Sequence, residues 1–325
     1  MNKSVDYITL SNKKNIKRNF LKFTLIIVSV AFVFQNKILY STEKLINGFI
    51  TVEQGTYEGD TSWGKLTGEG TFKFNTGDIY QGDFSNNNIS GNGTYQFSSG
   101  DYYTGEWSNG LMNGNGTLTL NGIGVYSGGF ADSKRSGKGD FIWDNGDKIS
   151  CDWKDDKPLG EVTIEYKSGA KYVGTLKNNT VDSGTYKIET ENTKYTLTIE
   201  NGIITHALIE YANGEKYDGQ ITDNHITGTG TMTYKNKDSY TGDFENGLKA
   251  GNGKYTWSTG ESYNGAWASD KINGQGEYRY SSKEYPCIKG VFKDNKPSSK
   301  IVYYVNSSQH YDTEWKNGKC TKIKE

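Results

Sequence analysis

The residue types that most often carry chemistry are few in this chain and poorly placed for it. The cysteines are Cys151, Cys287 and Cys320, and the histidines are His206, His225 and His310. There is no Cys-x-x-Cys pair and the histidines do not cluster with the thiols, so the spacing supports neither a disulfide framework nor a zinc site. Gly-x-Gly recurs, as at Gly91-Asn92-Gly93 and Gly251-Asn252-Gly253. An alternating aromatic run comes after it each time instead of a helix N-terminus, which excludes a dinucleotide or phosphate cradle. Asp78, Asp101, Asp147 and Glu261 each come after a glycine at repeating intervals, the behaviour of turn residues and not of an acid/base pair. No Ser-His-Asp or Cys-His arrangement emerges. The expectation is a non-enzymatic chain with no catalytic residue, cofactor or metal.

The composition points elsewhere. Of 325 residues 33% are hydrophobic, 14% are aromatic and 41 are glycine. That mixture suits a thin structure whose apolar material is mostly rings, not one large aliphatic core. Residues 1–47 hold eight basic residues against Asp6 and Glu43, or +6, so a formal total of -1 leaves -7 for the remainder. A mildly acidic array has no reason to seek a polyanion, and nucleic acid is excluded as a partner. The richness in Asn, Lys and Ile points to an AT-rich, bacterial source.

The N-terminus reads as an anchor. Residues 1–19 form a basic, cytoplasmic tail. The run Phe20–Phe34, FLKFTLIIVSVAFVF, extends through Ile38-Leu39-Tyr40 to the ~17–25 residues that a bilayer span needs. Lys22 and Lys37 would snorkel at its two ends. Residues 20–40 are therefore expected to be a single-pass transmembrane signal anchor. Positive charge before the span keeps the N-terminus in the cytoplasm and places residues 41–325 on the extracytoplasmic side of the cell membrane. The alternative is secretion after signal cleavage, but the small-x-small site Ser29-Val30-Ala31 falls inside the apolar run instead of after it.

Residues 41–56 read as a linker with a capping strand at Gly48-Phe49-Ile50-Thr51-Val52, and residues 57–325 as a repeat array. Unit starts fall at Tyr57, Tyr80, Tyr103, Tyr126, Ile149, Tyr172, Tyr195, Tyr217, Tyr240, Tyr263, Ile288 and Tyr311. The step is 23 residues except for one of 22 and one of 25. Tyr240, Gly242 and Phe244 share one parity, as do Gly251, Gly253, Tyr255 and Trp257, and the residues between them are polar. That is period two, with one apolar and one wet face. Asn246-Gly247 and Gly260-Glu261 supply turn chemistry at the two ends. Each unit is thus a β-hairpin, and the fold class is all-β, an elongated single-layer antiparallel sheet of stacked hairpins. Glycine on the aromatic face is expected to make a slot that a ring from a neighbouring strand fills. Regularity lapses at residues 149–216, where Cys151 and Leu197 replace glycines, and again at residues 288–325.

The pattern Tyr-x-Gly-x-(Trp/Phe)-x-Asn-Gly-x-x-x-Gly-x-Gly resembles the MORN repeat (membrane occupation and recognition nexus) over about residues 57–318. The resemblance implies a hairpin-stacked antiparallel sheet, and a role as an interaction scaffold, a membrane-proximal module with proposed phospholipid binding, or an appendage of an enzyme. No stretch remains for a kinase or methyltransferase domain, and an acidic array suits phospholipid poorly. Two readings are open, a membrane-tethered scaffold for a protein partner at the cell envelope and a binder of envelope glycan or lipid. The candidate interaction residues are the aromatic-face rings Tyr103, Trp107, Trp143, Tyr240, Trp257, Tyr263 and Trp267. Burial of those rings decides between core and open groove.

Overall fold

The computed structural model describes residues 55–324, apart from residue 224 and residues 283–285. The basic tail, the expected span at 20–40 and the capping strand at 48–52 lie outside the described residues. Among the described residues there are 24 strands and no helix long and apolar enough to cross a membrane. They divide into two compact units, one ending at Tyr186 and the other beginning at Lys187.

In both units the strands come one after another as hairpins, each pairing antiparallel with the next. In the first unit Ile79–Ser85 pairs with Asn88–Gln96, which pairs in turn with Tyr102–Ser108. In the second, Ser239–Glu245 pairs with Leu248–Thr256, and that strand with Ser262–Ala268. Hairpin tips fall between the two halves of every expected unit, so the 23-residue period is one hairpin plus one linking turn. At Asn246-Gly247 both tip residues are left-handed, with φ of 49° and 79°. This is the turn whose twist matches that of the flanking strands.

The glycines explain why a single layer can have a core. Gly242 faces Gly253 across the hairpin, and the Tyr240 ring lies over the pair. A Cβ on Gly253 would sit 2.3 Å from the Tyr240 hydroxyl oxygen. The slot expected from the sequence exists, but its occupant differs. The tyrosine covers the glycine two residues ahead on its own strand together with the glycine facing it. The tyrosine hydroxyl donates to the carbonyl of the residue three ahead: Asp243 at 2.8 Å for Tyr240, Glu106 at 3.0 Å for Tyr103. Tyr57, Tyr80, Tyr126, Tyr172, Tyr217 and Tyr263 do the same.

Beyond the glycine pair the register shifts. Gly242 pairs with Gly253, yet Phe244 pairs with Lys249, so the second strand carries extra residues there. Gly251 lies in this bulge with φ +52°, a backbone region open to glycine and costly for most side chains. The two glycines of Gly-x-Gly therefore have separate tasks, the first bending the backbone and the second opening the slot. The Asp243 carboxylate closes the bulge by accepting from the Asn252 N–H at 2.7 Å, and Glu106 does so from Asn115 at 2.8 Å.

The next ring along the strand locks hairpin to hairpin. Trp267 packs edge to face on Tyr263 at 5.5 Å and on Tyr240 of the preceding hairpin at 5.2 Å. Its indole N–H donates to the Gly253 carbonyl at 3.0 Å. In the first unit the alternation runs Tyr57, Phe84, Tyr80, Trp107, Tyr103, Phe130, Tyr126, Trp153. Such pairs contribute about 0.5–1.5 kcal/mol each beyond area burial.

A buried aliphatic faces this ring at Ile89, Met112 and Ile272, and in the Tyr217 hairpin Ile226 faces Ile221 in place of a ring. Two hairpins place a cation there instead. Arg135 is 6% and Lys249 is 3% exposed, and each meets an aspartate of the next hairpin tip. Arg135 Nε lies 3.0 Å from Asp156 and its guanidinium 4.3 Å from the Trp153 ring centre. Lys249 Nζ is 3.2 Å from Asp270 and within 5.9 Å of the Tyr234, Tyr240, Tyr255 and Trp267 rings. At three other hairpins Asn87, Ser133 or Asn295 accepts the equivalent backbone N–H. Aspartate thus accompanies the cation within one chain.

Two outcomes are expected. Gly253→Ala should cost about 1–3 kcal/mol because neither the ring nor the facing backbone can withdraw. Tyr240→Phe should cost about 1 kcal/mol, one hydrogen bond with packing kept. Hydrogen exchange of the Ser239–Thr256 amides reads both, and equal protection in Gly253→Ala and the parent would refute the slot. Asp270→Asn should cost about 3 kcal/mol, whereas Lys249→Met with Asp270→Asn should cost much less, since the penalty is a buried charge left without its partner. Denaturant unfolding of the two variants checks the order.

Candidate interaction face

The seven rings picked out from the sequence separate on burial. Tyr103, Tyr240 and Tyr263 are 0% exposed, Trp107 4%, Trp267 6% and Trp143 7%. Their faces are occupied by glycine backbone and neighbouring rings, which leaves no surface on which a sugar could stack. Trp257 alone of the seven is half-exposed.

Trp257 belongs to a second row of rings. Counting in 23-residue steps from it reaches Tyr280 on one side and Tyr234 and Tyr211 on the other. All four are half-buried. Trp257 contacts Tyr255 at 4.7 Å and Tyr278 at 5.4 Å, and Tyr278 contacts Tyr280 at 5.0 Å. The first unit has the same row at Phe74, Phe97, Trp143 and Tyr166, with Leu120 in line. There Phe74 meets Tyr95 at 5.5 Å and Tyr95 meets Phe97 at 4.6 Å. Sequence reasoning singles out only Trp143 and Trp257 of these residues. The period could find the others, but the row closes the second strand, where several rings of one parity succeed each other and nothing local says which stay open. Trp63, also missed from the sequence, stands 99% exposed at the first hairpin tip.

The linking-turn carboxylates lie beside this row and staple one turn to the next. Asp78 accepts from the Ser98 N–H at 2.8 Å and from the Tyr95 hydroxyl at 3.0 Å. Asp238 repeats this with Ser258 at 2.8 Å and Tyr255 at 2.7 Å. Asp101 takes the Asn121 N–H at 2.7 Å and Asp147 the Lys167 N–H at 2.9 Å. Burial opposes ionisation of Asp78 and Asp238, but the backbone and side-chain donors together outweigh it and hold both carboxyls below their usual range. Asp78 and Asp238 are thus ionised and structural.

Among the described residues no cluster of three or more His, Cys, Asp or Glu could hold a metal ion. Cys151 takes a glycine position opposite Gly139, and burial pushes its thiol up to about 12, far from a reactive thiolate. Cys287 is buried and Cys320 exposed.

With the hairpin, the tyrosine-covered glycine pair and the edge-to-face ring row in view, comparison with known proteins agrees with the geometry. Seven segments match the family model described as MORN repeat: residues 57–79, 80–102, 103–121, 126–148, 217–239, 240–262 and 263–284. Those seven segments are MORN repeats, and the unmatched hairpins include those at 149–216, where Cys151 and Leu197 stand in place of glycines. No curated protein matches the chain. Among solved structures, the SAS-4 (dCPAP) TCP domain of Drosophila melanogaster, in complex with a proline-rich motif of Ana2 (dSTIL), matches at 13% identity. That match covers 48% of this chain and 84% of the other, with a TM-score of 0.31.

Burial raises the core tyrosines, Tyr172 and Tyr263 up to about 12 from an ordinary value near 10. A raised folded-state value favours the neutral form, so this stability is intact below pH ~10 and is lost as pH climbs from there towards ~12. Alkaline titration should therefore show tyrosinate absorbance rising together with loss of the circular-dichroism signal of the strands. Ionisation of most tyrosines near pH 10 with the strand signal unchanged would contradict the burial.

Proposed function

We propose that the chain is a non-enzymatic, membrane-tethered scaffold whose MORN-repeat array holds a protein partner at the cell envelope through its half-exposed ring row. One observation carries this reading. Every buried ring, glycine and turn carboxylate in a regular hairpin is committed to the sheet, whereas Phe74, Phe97, Tyr234, Trp257 and Tyr280 keep exposed aromatic surface in periodic order. Periodic aromatic surface on a rigid scaffold is an interaction face, since rings contribute large contact area at low entropic cost. The carbohydrate alternative draws on the same rings.

A photo-crosslinking residue at position 257 tests the reading. A protein adduct that disappears when Tyr234 and Tyr280 are changed to Ser supports the scaffold. Retention on cell-wall material that is lost in Trp257→Ala would put glycan in place of protein. Absence of any adduct, with the fold intact, would sink the reading. The tether has a separate readout. Cys320 is exposed, while Cys287 is buried and Cys151 half-buried. Labelling of intact cells by a membrane-impermeant thiol reagent should therefore report chiefly Cys320, and protection until lysis would reverse the proposed orientation.

A further inference from the structure

The open ring row of the first unit lies in a strongly acidic setting. Between Gly55 and Asp147 the chain has eleven acidic and five basic residues, a net -6. Asp78 and Asp101 stand one period apart, each closing the turn beside a half-exposed ring of the row, Phe74 and Phe97. Tyr95 ties charge to ring, since it contacts Phe74 and Phe97 while donating to Asp78. The nearest basic residues do not cancel this line. Arg135 is buried against Asp156, Lys148 pairs with Asp140, and Lys73 lies at the opposite parity from Phe72 and Phe74. Rings bordered by fixed carboxylates favour cations, through the ring quadrupole and the field alike.

The spacing narrows the partner further. One unit is two strands, about 10 Å along the row. Three residues of an extended or polyproline II segment also advance about 9–10 Å. We propose that the half-exposed Phe74 and Phe97 rings dock an extended basic segment of a partner protein, with Lys or Arg three residues apart and its backbone crossing the strands. This rests on the scaffold reading above and names the chemistry of its partner. Each basic side chain would lie over one ring beside one carboxylate, and charge complementarity would set orientation and on-rate.

The test uses the full chain and a fluorescent peptide of about twelve residues, arginine at every third position and proline between, pre-extended by its prolines. A second peptide of the same composition has its arginines in one block. The periodic peptide should bind more tightly than the block peptide. Asp101→Asn, which keeps the acceptor for Asn121, and Phe97→Ala should each weaken it by about tenfold. Asp132→Asn, a charge removed at the opposite hairpin tip, should leave binding unchanged. Equal binding of both peptides, equal loss in Asp132→Asn, or no binding would overturn the inference. Its failure is separable from that of the scaffold reading: an adduct at position 97 that maps to a neutral or acidic protein segment removes the basic partner and keeps the scaffold.

Discussion

Everything regular in this structure depends on a tyrosine ring lying over two facing glycines. Glycine within a strand is normally a loss, in backbone entropy and in absent packing. Here the missing side chains let a ring reach the backbone of two strands at once and become fully buried, as Tyr240 is over Gly242 and Gly253. Burial of a large side chain contributes on the order of 2–3 kcal/mol, which more than offsets the glycine penalty. The hydroxyl then finds a carbonyl that the bulge has turned toward it, so its burial leaves no polar atom without a partner. A single layer obtains a core without a second sheet.

The same contact accounts for the irregular hairpins. Where Leu197 faces Ala207, the slot is filled by side chains from its own two strands, and Tyr195 has no facing glycines to cover. Ile149 and Ile288 replace the tyrosine altogether and are buried as ordinary aliphatics. The hairpin survives because turns and ladder hydrogen bonds do not need the ring, while the repeat signature is lost. Sequence degeneracy therefore marks a change of core chemistry within the hairpin.

Charge is placed by the same contact. Cations at the buried position beside the ring come with an aspartate in the next tip, as in Arg135 with Asp156 and Lys249 with Asp270. Turn carboxylates are absorbed into staples between adjacent turns, Asp78, Asp101 and Asp147 each accepting a backbone N–H of the next turn. In the scaffold reading proposed above, the surface for recognition is the outer ring row with the negative field those carboxylates retain.

Much of this was legible in the sequence because it is local. Hairpin tips, strand parity and the 23-residue period are written in neighbours two to a few residues apart, and Asn-Gly or Gly-Asp means the same turn in any context. The glycine slot was legible too, as a recurring absence on an otherwise aromatic face. Three things were not. The left-handed Gly251 and the slot glycine Gly253 look alike in sequence, and only the register shift separates them. The acid at Asp243 or Glu106 reads as an exposed strand residue until the bulge brings a backbone N–H to it. Which rings stay open was the largest gap: Trp107 and Trp257 are the same residue on the same face, yet one is sealed between two tyrosines and the other is half bare. Composition and period determine that rings line one face. Which of them is covered depends on what the next hairpin lays over it, and that is a property of the packed structure alone.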